Sequence, residues 1–192
     1  MSEHAAALIH LRLKGFVKPE ALGAQAAALV DAGLADLAKL GLRLTPAGRA
    51  AADSAWEDER SVSDIDALEE VHTAFLALNS TFKALVADWQ LRAGIPNDHG
   101  NAVYDAAIVT RLANVDSKLA VVLAQAVALL PRLARYAPAF SHALARLSAG
   151  EARWMAAPII DSYHTLWFEL HEELIRLTGR TRAGEAAAGH AA

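Results

Sequence analysis

From about Ser63 to Arg92 the apolar residues recur in a fixed pattern. Leu68, Phe75, Phe82 and Trp89 fall every seventh position, and Val71, Leu78 and Leu85 lie three beyond the first three of them. This a/d spacing predicts a long helix whose stripe lies in a bundle core or a dimer seam. Gly94, Pro96 and Gly100 then punctuate GIPNDHGN, where Asn97 or Asp98 can cap the element that follows. A second long helix is expected from about Asn101 to Leu130, with an interruption near Asn114 to Ser117. Pro131 suits the first position of a third helix, which Pro138 kinks or restarts before Leu147. Pro158 opens the last helix, which runs to Thr178 with Gly179 as its stop. Four major helices with short connections predict an all-α protein, an up-down helical bundle of antiparallel neighbours.

The first third of the chain reads differently. Leu8, Ile9 and Leu11 share one broad face of a first helix over residues 2–14, ended by Gly15. Pro19 opens a segment reaching about Ala32, and Gly33 stops it. Leu37, Leu40, Leu42 and Leu44 alternate around Gly41, the signature of a short β-hairpin, and Thr45-Pro46 is a cap followed by a first helical residue. In this setting GLADLAKLGLRLTPAGRAA resembles the wing and following helix of MarR-like winged-helix proteins. The resemblance covers about the first 50 residues and implies a DNA-reading helix-turn-helix. The segment that would do the reading, AQAAALVDAGL, offers only Gln25 to a base edge, and the wing adds only Lys39 and Arg43. The span from Pro19 to Ala32 also leaves 14 positions where two helices and a turn need about 20. The expected organisation is a degenerate winged-helix-like region over 1–60, an antiparallel bundle over 61–179 and a mobile tail over 180–192.

Charge and composition narrow the partners. A net charge of −4 and a pI near 6.0 create no field that attracts phosphate backbones or anionic membranes. The absence of cysteine excludes disulfides, thiolate metal sites and cysteine nucleophiles, and fits a cytoplasmic protein. The N-terminus lacks the order of a signal peptide, and AVVLAQAVALL reads as a buried helix rather than a membrane span.

Candidate chemistry is densest in DSYHTLWFELHEEL, residues 161–174. On one helix Asp161, His164, Phe168 and His171 form a continuous stripe beside Glu172. Tyr163, Leu166, Trp167, Leu170, Leu174 and Leu177 form the opposite, core-facing side. His164 and His171 stand about 10 Å apart along such a helix, too far to share one ion, and neither HExxH nor the pair of ExxH motifs of a di-iron bundle occurs. A metal would need ligands from other helices, such as His99 or Asp98, and the expectation is no metal and no cofactor. A metal-free acid/base site is sharper. Here His164 is the base or acid, Asp161 orients it, and Asp98, His99 and Asp105 supply complementary catalytic groups. Asp88, Trp89, Asn97, Tyr104, Phe168 and His171 are the candidate ligand-binding residues, with Trp167 a further wall. The bland reading is a buried polar network or an ordinary solvated face, including a mildly basic helix carrying Arg132, Arg135 and Arg146.

The combination DWQLR, NDH, YDAAIVTRL and DSYHTLWFELHEEL is similar to a helical domain of GC-rich bacteria. That domain occurs alone under a MarR-like label or after the phosphohistidine domain of phosphoenolpyruvate-utilising proteins. The resemblance implies small-molecule metabolism and supplies no catalytic residue. The expected function is therefore a small-molecule-binding helical protein whose His/Asp pocket supports acid/base chemistry of lyase, isomerase or hydrolase type. The alternative is a ligand-responsive transcriptional regulator. The expected partner is a small organic molecule, with DNA disfavoured, no membrane, and a homodimer through the long helices left open.

Overall fold

The structure, a computed structural model, describes residues 4–187. Helix makes up 73% of it, and the chain divides into two compact units at the Asp64–Ile65 junction.

The first unit is built by small residues that let backbones approach. Helix α1 (Ala5–Lys14) buries Leu8, Ile9 and Leu11, and Gly15 closes it at φ 75°. The segment after Pro19 is not one helix. Gly23 at φ 56° splits it into the single turn α2 (Pro19–Leu22) and the eight-residue α3 (Ala24–Asp31). Strands β1 (Ala35–Ala38) and β2 (Gly41–Leu44) pair antiparallel, and Val17 bridges to Leu42 on the outer side of β2. Leu42 and Leu44 are buried, whereas Leu37 and Leu40 near the hairpin tip are exposed. Helix α4 (Pro46–Val62) starts where Thr45 Oγ1 accepts from the Gly48 amide. A Cβ at Gly48 would lie 1.8 Å from the Leu34 carbonyl oxygen, so only glycine fits there.

The second unit is a helical bundle. Helix α5 (Ile65–Gln90) is followed by the two-residue strands β3 (Leu91–Arg92) and β4 (Ile95–Pro96). Helix α6 (Ala102–Leu129) is unbroken through Asn114–Ser117 because Leu112, Val115 and Leu119 keep one buried stripe. Pro131–Arg135 is a 3-10 turn leading into α7 (Tyr136–Ser148). Pro138 falls in the first turn of α7, where its missing N–H is not needed, so it does not kink the helix. Helix α5 packs on α6, α6 on α7, α7 on α8 (Tyr163–Leu177) and α8 back on α5. Leu68, Phe75, Phe82 and Trp89 are all buried, as the heptad spacing predicts.

The last long helix starts later than its proline suggests. Residues after Pro158 form turns, and Ser162 caps α8 by accepting from the Thr165 amide. Its centre is Trp167, fully buried, stacked 4.1 Å from the Phe82 ring and donating through Nε1 to Asn79 Oδ1 at 2.9 Å. Burying such a ring contributes on the order of 3 kcal/mol. Within the tail over 180–192, a short helix, α9 (Arg182–Ala187), buries Glu185; residues 188–192 lie outside the described residues.

Among the described residues one helix, α6, is long and apolar enough to cross a membrane, by length and composition. Its most apolar 18-residue window has mean hydropathy 1.4, with 33% of it buried. Most of that window is not buried, although its apolar run predicts a buried helix.

Candidate functional site

The break between α5 and α6 is organised by Asn97. Its amide nitrogen donates to the Trp89 carbonyl oxygen and to Asp105 Oδ1, each at 3.0 Å. Its side-chain oxygen accepts from the His99 amide at 3.2 Å, and its own backbone N–H donates to Gln90 O at 2.8 Å. The short β3–β4 hairpin makes this possible by returning the chain to the end of α5 within a few residues.

His99 is held by that framework. Its Nδ1 lies 3.0 Å from Asp105 Oδ2, and its ring packs 4.5 Å from Trp89. Both amide hydrogens of Asn97 have other acceptors, so the Asp105 contact is satisfied when Nδ1 carries the proton and donates. That tautomer leaves Nε2 as a lone-pair nitrogen, with no protein partner among the described residues. His99 also adopts φ 57°, an unusual backbone state for a non-glycine residue, which the surrounding hydrogen bonds maintain.

The His99 ring lines a cleft of about 440 Å³. Trp89, Ala102, Asp105, Ala106 and Val109 form one side, and Leu147 to Ala152, at the end of α7 and the turn after it, form the other. The volume suits a small organic molecule, and the walls are mainly apolar. An oriented imidazole with a carboxylate behind it can take or give one proton at Nε2.

The structure thus gathers Trp89, Asn97, His99 and Asp105 and leaves the other sequence candidates elsewhere. Asp98 is exposed, and its Oδ1 accepts from the Gly100 amide, which makes it a turn-former. Tyr104 donates to the Asp88 carbonyl oxygen at 2.9 Å, and the Asp88 carboxylate accepts from Arg111 at 2.7 Å; these contacts join α5 to α6. His164 is half-buried in a smaller cleft with Phe82, Lys83, Val86 and Gln90, and burial lowers its pKa. Asp161 precedes the Ser162 cap and is exposed, so it does not stand one helical turn before His164. Phe168 is exposed under the Arg182 guanidinium, 4.0 Å away, whereas His171 is fully buried. The proposed stripe therefore splits into different environments.

Along α5 the rings of Phe75, Phe82 and Trp89 each meet a different histidine: His171, His164 and His99. Heptad spacing puts successive meeting points about 10 Å apart, so His164 and His99 do not converge on one substrate.

A buried ionic network ties the turn at Pro131–Arg135 to α8. Arg132 Nη1 donates to Glu173 Oε2 at 2.6 Å, Arg135 Nη2 donates to Glu173 Oε1 at 2.9 Å, and the Tyr136 hydroxyl donates to the same Oε1 at 3.2 Å. Arg132 and Arg135 are not on a solvated face; they turn inward to clamp α8. Burial opposes ionisation of Glu173, but the two guanidiniums outweigh it and hold the carboxyl below its usual range.

Comparison with protein-family models, curated proteins and solved structures gives no match.

Proposed function

We propose that the second unit binds a small, largely apolar organic molecule in the α5–α6–α7 cleft, with His99 exchanging a proton with it. The observation that carries this reading is the Asp105–His99 pair, locked by Asn97 and set against Trp89 at a cleft of about 440 Å³. Asp105 positions the ring through its contact with Nδ1. A lyase or isomerase step would use this proton transfer at Nε2, and a hydrolase step would use it to activate a water molecule admitted to the cleft. Phe82, Lys83 and His164 belong to a separate, smaller cleft in this reading.

The test uses imidazole 15N NMR on the full chain together with a screen of small acids, ketones and amides read by the tryptophan fluorescence that a Trp89→Phe chain loses. Wild type should show the Nδ1–H tautomer at His99, and Asp105→Asn should mix the tautomers. His99→Ala should weaken a screened ligand at least tenfold while the circular dichroism stays unchanged. A Nε2–H tautomer in wild type, or ligands that bind equally without His99, would defeat the proposal.

We read residues 1–60 as a reduced winged-helix-like unit and the second unit as an up-down bundle. α1, the Val17–Leu42 bridge and the β1–β2 hairpin support the first reading, and the cyclic packing of α5 to α8 supports the second. The single-turn α2 and a non-basic α3 argue against duplex reading, so DNA binding is not part of the proposed function. Duplex binding with a steep salt slope would restore the regulator reading. A cytoplasmic location fits the cysteine-free composition. A homodimer is left to sedimentation of the full chain.

A further inference from the structure

A second group of histidines lies away from the cleft. His72 comes from α5, His171 from α8 and Glu185 from α9, with exposures of 1%, 0% and 3%. One ligand atom from each lies within 4.8 Å of the others. His72 Nε2 stands 3.9 Å from Glu185 Oε2, too far for a hydrogen bond, and the two imidazole rings are 6.0 Å apart between centroids. Both ring nitrogens of His171 are buried without a hydrogen-bond partner. A buried polar side chain in that state calls for a physical cause.

We propose that His72, His171 and Glu185 form a three-ligand site for a divalent transition metal, zinc foremost, that fastens α9 to the bundle. Two imidazole nitrogens and a carboxylate oxygen are a borderline donor set that zinc accepts in tetrahedral geometry, with water in the fourth position. Calcium and magnesium favour all-oxygen shells and fit these donors less well. Tetrahedral zinc sets its donors about 3.4 Å apart, so a cluster spanning 4.8 Å closes on the ion when each donor moves inward by less than about 1 Å.

The three ligands come from three elements, and the third is the weakest. Helix α9 has six residues, too few to be stable alone. Its described ties include the Arg180–Glu185 and Arg182–Glu172 ion pairs and the Arg182 contact with the Phe168 ring, each involving a partly exposed arginine. An ion ligated by Glu185 would add a buried tie to these.

The full chain, stripped with a chelator and desalted, is titrated with zinc chloride by calorimetry and with cobalt(II) chloride by absorption. One equivalent should bind with submicromolar affinity, cobalt should give the intense visible bands of a tetrahedral site, and zinc should slow tryptic cleavage at Arg182. Glu185→Gln, which changes only the short terminal helix, should weaken zinc at least tenfold with the circular dichroism unchanged. His171→Ala should weaken it at least a hundredfold. Absence of a stoichiometric site overturns the proposal, as does a Glu185→Gln chain that binds zinc as wild type does. The His99→Ala chain should bind zinc normally, so this proposal and the cleft reading fail separately.

Discussion

Glu173 shows what one buried charge commits its neighbours to. Its carboxylate has no exposed surface and answers two guanidiniums and a tyrosine hydroxyl. Glu173→Gln would leave Arg132 and Arg135 facing a neutral amide, a change that costs about 3 kcal/mol when one partner of a buried pair is removed. Urea unfolding should record that loss. Replacing Arg132 and Glu173 together by apolar residues should cost less than the two single changes added; simple additivity would mean the network is not coupled. The sequence cannot announce this cluster, because RLAR and HEEL also suit a solvated face and lie far apart in the chain. Asn97 is similar. Its residue type marks a loop, and only the folded hairpin shows that it holds the His99–Asp105 pair.

At the scale of elements, the α5–α6 connection carries a correctable flaw. The β3–β4 turn places Ala93 at φ 51° and Gly94 at φ 80°, a two-residue type I′ turn that favours Asn-Gly. Ala93→Asn should stabilise the second unit by about 0.5–1 kcal/mol, read as slower amide exchange around Asn97. Unchanged exchange would show that the turn does not limit the loop. The helices themselves were readable wherever a long apolar period existed. α5 follows its heptads, and the core face of α8, from Tyr163 to Leu177, is buried as spaced. Departures came at prolines, whose local preferences allow more than one outcome. Pro158 precedes turns, and Pro138 fits inside a first helical turn.

For the second unit as a whole, acid should be destabilising through groups buried in neutral form. Burial lowers the pKa of His164, which lines a small cleft with the charged Lys83. An unfolded histidine takes its proton near pH 6.5. Below that pH the unfolded chain binds a proton that the folded chain refuses, so stability is full above about 6.5 and falls as pH drops toward the folded value. Urea midpoints measured between pH 7.5 and 5.5 should decline, and His164→Gln should flatten part of that decline. An identical slope in the variant would remove His164 from the account.

By itself the sequence determined what depends on neighbours along the chain: an all-helical class, the heptad helix, the apolar face of α8, the Thr45 cap and the short hairpin. It also marked the segments where polar and aromatic residues cluster, because such residues are sparse elsewhere. The tertiary structure decided which of those segments meet. His164 and His99 each pair with a different ring of α5, about 10 Å apart, and His171 is brought to His72 and Glu185, which no spacing rule connects. Helical periodicity sets which way a side chain points from its own axis. Which partner it finds depends on the register and rotation of separate helices, set by packing over the whole core. DSYHTLWFELHEEL therefore contributes a core face, a half-buried histidine and a buried ligand candidate, while the cleft belongs to the loop that Asn97 ties to the end of α5.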